Sequence, residues 1–91
     1  MKDGTVNVNL KSLLKYTPGK DDDGKEVVEN GQVRIVIGND TIYNESKPKN
    51  TTNISARFSA KGNVTIKIYV DDILKGTKEI NMNVTTTCTF E

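Results

Sequence analysis

The chain has 91 residues, the size of one domain, which leaves no room for a second core or a (β/α)₈-type catalytic frame. It has no His or Trp, one Cys, three Tyr and two Phe, so the commonest general base and metal ligand is missing, and neither a disulfide framework nor a cysteine zinc site can form within it. Thirteen Lys and Arg against twelve Asp and Glu leave a formal charge of +1, with the two signs alternating along the chain, which excludes the basic surplus expected of a binder of nucleic acid or anionic lipid.

The hydrophobic pattern has period two almost throughout. Val6, Val8 and Leu10 alternate with Asn7 and Asn9 and predict a first strand over 5–10. Leu13, Leu14 and Tyr16 form a short apolar patch with room for one helical turn near Ser12–Tyr16. No segment holds a helical period over three turns. Thr17 to Gly24, with Pro18, Gly19 and three consecutive Asp, reads as loop. Asn30-Gly31 lies between Lys25–Glu29 and Gln32–Ile37 and predicts a tight hairpin, because a type I′ turn needs positive φ at both central residues. Gly38-Asn39-Asp40 predicts another turn, followed by a short strand over Thr41–Asn44 and a polar loop over 45–52.

Ile54, Ala56 and Phe58 predict a strand over 53–59. After a turn at Lys61-Gly62-Asn63, the residues Val64, Ile66, Ile68 and Val70 give the cleanest alternation and the expected sandwich centre, with Tyr69 facing outward. Asp71-Asp72 opens a loop that ends near Gly76. The last segment, 77–90, keeps Ile80, Met82, Val84, Thr86, Cys88 and Phe90 in one phase, well beyond the usual strand length of about 5–6 residues. A strand of that length projects past its sheet or pairs with another chain. Residues 84–91 are therefore expected to form an extended C-terminal arm, with Val84, Thr86, Cys88 and Phe90 as the candidate partner-binding residues. The alternative is a long edge strand or a frayed tail, and Cys88, in phase with the apolar face, reads as a buried, inert thiol.

About seven short strands with regularly spaced turn signals predict an all-β protein, an immunoglobulin-like antiparallel β-sandwich in one domain over 1–91. The Cys…Trp…Cys pattern of antibody domains is absent. No run of 18 apolar residues is present, so no membrane span is predicted. Met1-Lys2-Asp3-Gly4 turns polar at once, without the apolar run of a secretory signal. The chain is thus expected to be a whole product made in a cytoplasm, with a module cut from a larger protein as the alternative. Eleven Lys against two Arg, together with abundant Asn and Thr, suggest a source genome of low GC content.

Four groups invite a chemical reading. Asp21-Asp22-Asp23-Gly24 resembles part of a calcium loop, but aligning Gly24 to the sixth position of an EF-hand puts Gly19 first and Asn30 twelfth, where acids are needed. This leaves a loose surface calcium site or a charged turn. Asp71-Asp72 as an acid–base pair would need an apolar cleft, which no segment supplies. Six N-x-[S/T] sequons occur, at Asn39, Asn44, Asn50, Asn53, Asn63 and Asn83, yet alternating strands produce such triplets without glycosylation. Tyr16, Tyr43 and Tyr69 could build a sugar-stacking platform, or serve as packing partners.

The segment Gly62-Asn63-Val64-Thr65-Ile66-Lys67-Ile68-Tyr69-Val70-Asp71-Asp72-Ile73-Leu74-Lys75-Gly76-Thr77-Lys78-Glu79-Ile80 resembles the last hairpin of small immunoglobulin-like domains of bacteria and phages. Those read as a turn, an alternating strand ending in Tyr-Val-Asp-Gly, a short loop with Gly-Thr, and a final strand. Asp72 stands where they carry Gly, so it is expected either to take a left-handed conformation or to mark a different turn. Such domains decorate virions, extend surface adhesins, or sit beside carbohydrate-active enzymes, and carry no catalytic motif. The resemblance bears on fold more than function; together with the absent secretory signal, the missing catalytic residue types and the long alternating C-terminal segment, it leads to the expectation of a non-enzymatic structural protein without cofactor: a phage capsid decoration or auxiliary subunit located in the virion. It would bind a particle lattice through strand edges and the terminal arm. Its expected partners are proteins, either other virion subunits or copies of itself, and neither nucleic acid nor membrane. The alternative is a carbohydrate- or cell-surface-binding module of a larger secreted bacterial protein, with a glycan as its partner.

Overall fold

A strand with one buried face alternates apolar and polar residues, and that pattern sets most of the architecture. The structure, a computed structural model, describes residues 3–59, 62–82 and 86–90. Among these it has nine strands and one short helix: β1 (Asp3–Val8), α1 (Leu10–Leu14), β2 (Gly19–Lys20), β3 (Glu26–Val27), β4 (Asn30–Ile37), β5 (Asp40–Pro48), β6 (Ile54–Ser59), β7 (Gly62–Val70), β8 (Ile73–Met82) and β9 (Thr86–Phe90). The protein is all-β, as its periodicity predicts.

Seven of these strands build two sheets. One has the order β6-β1-β9 and the other β5-β4-β7-β8, while β2 and β3 form a separate ribbon. Pairing is antiparallel except between β1 and β9, which run parallel with Val6 opposite Cys88 and Val8 opposite Phe90. The inward residues of both sheets share one apolar core. Val6 and Val8 of β1, Ile54, Ala56 and Phe58 of β6, and Cys88 and Phe90 of β9 meet Val33, Ile35 and Ile37 of β4 and Ile66, Ile68 and Val70 of β7. No polar or charged residue is buried among the described residues.

Five local outcomes differ from the pattern reading; the first is that the loop expected over 71–76 shrinks to the two-residue turn Asp71-Asp72, because Ile73, Leu74 and Gly76 pair with Val70, Tyr69 and Ile68. Leu10 is not the end of β1 but the first residue of α1, fully buried at the end of the core. Asn9 caps that helix, its Oδ1 accepting the Ser12 N–H at 3.1 Å. Lys15 closes it at φ 52°, its N–H donating to Lys11 O.

Asn30-Gly31 makes no hairpin. Both residues lie inside β4, opposite Pro48 and Lys47, and β3 pairs with β2 instead. A Cβ at Gly31 would come within 2.8 Å of Val70 Cγ1, so this glycine serves close approach rather than a turn. The turn expected at Gly38-Asn39-Asp40 is present, with Gly38 at φ +61° and Ile37 opposite Asp40. Gly at the first central position fits a type II′ turn.

β5 extends through residues read as loop, because Glu45, Ser46, Lys47 and Pro48 pair with the start of β4. It is an edge strand, where polar residues on both faces and a proline are tolerated. Finally, the long alternating segment is divided. β8 ends at Met82 in the four-stranded sheet, and β9 begins at Thr86 in the other.

Candidate interaction surface

The candidate arm residues come first. Cys88 and Phe90 are 3% and 7% exposed and belong to the chain's own core. Thr86 opens β9 opposite Gly4, and Val84 lies outside the described residues. The expectation that this segment projects from its sheet is therefore corrected for residues 86–90: they form the third strand of the chain's own sheet. The cause is β1, whose free edge and apolar face receive the same alternation that would suit a partner. The Asn9 N–H donates to Phe90 O at 3.0 Å, Lys78 Nζ donates to Thr89 O at 3.2 Å, and the Phe90 ring lies over the bare backbone of Gly76. Burial pushes the Cys88 thiol up from its ordinary pKa, with the Lys78 charge pulling the other way.

The remaining groups singled out in the sequence are placed apart. Asp21 Oδ1 accepts the N–H groups of Asp23 and Lys25, both at 2.9 Å, which makes the acidic triplet an Asx-stabilised turn of the β2–β3 ribbon. Among the described residues no three His, Cys, Asp or Glu side chains gather in metal-ligating geometry. The three tyrosines do not share a face. Tyr43 packs on the core, the Tyr16 hydroxyl accepts the Glu29 N–H at 3.0 Å, and Tyr69 lies on the outer face of β7 opposite Arg34. Of the sequon asparagines, Asn39, Asn44, Asn50, Asn53 and Asn63 are exposed. Asn44 accepts from Gln32 Nε2 and Asn63 from Asn81 Nδ2. Asn83 is outside the described residues.

One surface was not singled out from the sequence. The β7–β8 hairpin turns on Asp71 and Asp72, both at positive φ, 52° and 65°, in the two-residue type I′ geometry. Asp71 ties the turn to β4, its Oδ1 accepting the Gln32 N–H at 2.9 Å and its own N–H donating to Gln32 O. Lys49 Nζ lies 3.7 Å from the Asp71 carboxylate and 3.8 Å from Glu29. Arg34 lies with its guanidinium 4.2 Å from the Tyr69 ring centroid and Nη2 3.5 Å from Asp72 Oδ1. Both carboxylates of the turn therefore face a cation, and the face of Tyr69 on which a sugar would stack is taken by Arg34.

Immediately after this turn, Ile73 and Leu74 are 58% and 48% exposed, among the most exposed large apolar side chains described. Leu74 lies opposite Tyr69 on the outer face. Ile73 borders a depression of about 200 Å³ shared with Leu14, Tyr16 and Val70 and rimmed by Lys49, Asp71 and Lys75. Both side chains belong to β8, an edge strand of ten residues. The sequence carried a usable signal. Two adjacent apolar residues at the start of a strand cannot both face the core, so one of Ile73 and Leu74 had to be exposed once the turn was placed at Asp71-Asp72.

An arginine stacked on a tyrosine beside an exposed leucine, at a long sheet edge, is chemistry suited to protein contact: amphipathic side chains of low mobility next to unpaired backbone groups. No protein-family model matches the chain, and neither curated proteins nor solved structures yield a match.

Proposed function

We propose that this chain is a non-enzymatic structural protein with an immunoglobulin-like sandwich, a small subunit that decorates a phage particle. The fold part of this reading is supported by connectivity. If β1, β4, β5, β6, β7 and β8 are taken as B, C, C′, E, F and G, the orders β6-β1 and β5-β4-β7-β8 match the E-B and C′-C-F-G neighbours of the immunoglobulin arrangement. β9 then occupies the place beside B, where that arrangement has strand A. The functional part rests chiefly on one observation: β8 is a ten-residue edge strand bearing Ile73 and Leu74 about half exposed. Natural edges of this length are normally blunted or covered, and a particle lattice would cover it repeatedly, so that many weak contacts add.

The test is mass spectrometry of virions purified from the low-GC host whose phage encodes this chain. The chain should be present in stoichiometric copies, and Ile73→Lys with Leu74→Lys should lose particle binding while changing domain stability by less than about 0.5 kcal/mol, as exposed substitutions usually do. Absence of the chain from the particle would overturn the proposal.

A further inference from the structure

Ile73 and Leu74 are neighbours in sequence but lie on opposite sides of their sheet. Ile73 pairs with Val70, which is buried in the core, and Leu74 pairs with Tyr69 on the outer face. Directly paired residues share a face, so Ile73 lies on the inner side of the β8 edge and Leu74 on the outer side. Of the four edge strands of the two sheets, only β8 carries large apolar side chains this exposed among the described residues. A flat surface laid on either face covers one of the two. A strand laid along the edge covers both, because its successive side chains go to alternate sides.

The inner side holds a receptor for such a side chain. Ile73, Leu14, Tyr16 and Val70 line the depression of about 200 Å³, and Lys49 and Lys75 stand at its rim. Lys75 is the extra residue of a β-bulge, since Leu74 pairs with Tyr69 and Gly76 with Ile68. Lys49 is matched by Glu29 and Asp71, whereas Lys75 has no ion pair among the described residues. The free cation at the rim is complementary to a carboxylate.

We propose that β8 binds an extended acidic segment of another protein, added as a fifth strand to the sheet β5-β4-β7-β8. The segment carries two consecutive apolar residues, one seated in the depression beside Ile73 and the next against Leu74, and an Asp or Glu that meets Lys75. Beyond the bulge, residues 76–82 keep a regular register with β7, and no strand pairs with their other side. That free backbone supplies hydrogen bonds whatever the partner's sequence, while the depression and Lys75 supply the preference. The proposal rests on the reading of β8 as the contact edge and names the chemistry of what that edge takes.

The test is selection of a yeast-displayed library of random peptides, long enough to span β8, on the full chain. Enriched peptides should share two adjacent apolar residues with Asp or Glu close by. One of them, titrated into the ¹⁵N-labelled chain, should shift the amide signals of Leu14, Tyr16 and residues 73–76 and slow hydrogen exchange along β8. Lys75→Glu should weaken that peptide about fivefold and, in a fresh selection, replace Asp and Glu by Lys and Arg. Ile73→Asp should weaken it about tenfold or more. Both positions are exposed, so the variants keep the fold. Failure to enrich a shared sequence, shifts confined to β5, β6 or β9, or an acidic motif that survives Lys75→Glu overturns the proposal. Virions that contain the chain alongside a library without a shared sequence retain the particle reading and overturn this one, and a selected acidic peptide alongside virions that lack the chain does the reverse.

Discussion

Asp71 and Asp72 are adjacent and both left-handed, a conformation that costs a non-glycine residue roughly 1–2 kcal/mol. Asp71 offsets that cost through its two hydrogen bonds with Gln32 and the nearby Lys49 ammonium. Asp72 has only a long contact with Arg34, and its side chain is 92% exposed, where an ion pair contributes little. Asp72→Gly should therefore raise the unfolding free energy by about 1 kcal/mol, read from the denaturant midpoint, whereas Asp71→Gly should lower it. A left-handed Asp72 was one of the two outcomes that the hairpin resemblance led to expect, and it is the one found. The tie from Asp71 to Gln32 was not legible in the sequence, because it joins residues remote in the chain.

Cys88 gives a second prediction. Burial raises its pKa in the folded chain, while an unfolded chain releases the thiol proton near pH 8.5 or so. Above that pH the unfolded state holds fewer protons than the folded state, so stability declines as pH rises. The contribution is fully present below the unfolded pKa. The fall in denaturant midpoint between pH 7 and pH 10 should therefore be smaller for Cys88→Ala than for the parent chain.

Among the elements, β1, β6 and β7 were legible because each has one face in the core and one in solvent, so alternation states both the strand and its inward side. Half of β5 was not, since an edge strand with polar residues on both faces looks like loop. β9 illustrates a deeper ambiguity. Alternation says which side of a strand is apolar, but not which sheet receives it, and the same parity served β8 and β9 alike. Their meeting point makes the division testable. A Cβ at Gly76 would lie 3.1 Å from Leu13 Cδ1 and 3.2 Å from Phe90 Cδ2, so Gly76→Ala should cost about 1–2 kcal/mol through overpacking. Phe90→Ala should cost about 3 kcal/mol. If β9 sits over β8 as described, the two losses should fall short of additivity by about 0.5 kcal/mol or more in a double-mutant cycle.

At the scale of the molecule, the sandwich is long and thin, 52 × 20 × 16 Å, with a radius of gyration of 14.6 Å against about 12 Å for a compact chain of this length. Two packed layers of three and four strands, rather than one wide sheet, keep it narrow. Four edge strands, β5, β6, β8 and β9, border its two sheets. All-β character and a single shared core follow from the period-two pattern. The exposed pair at Ile73 and Leu74 depended on locating one turn to the residue, and so came into view only with the fold.

The parallel pairing of β1 with β9 also has a consequence for how the protein is made. Val6 and Cys88 are register partners, yet they stand roughly eighty residues apart, and pairings that distant are closed late and slowly. During synthesis, β1 emerges roughly eighty residues before β9 and must wait for them before its second neighbour exists. During that interval its edge and apolar face stand open, and mispairing of that strand competes with native closure.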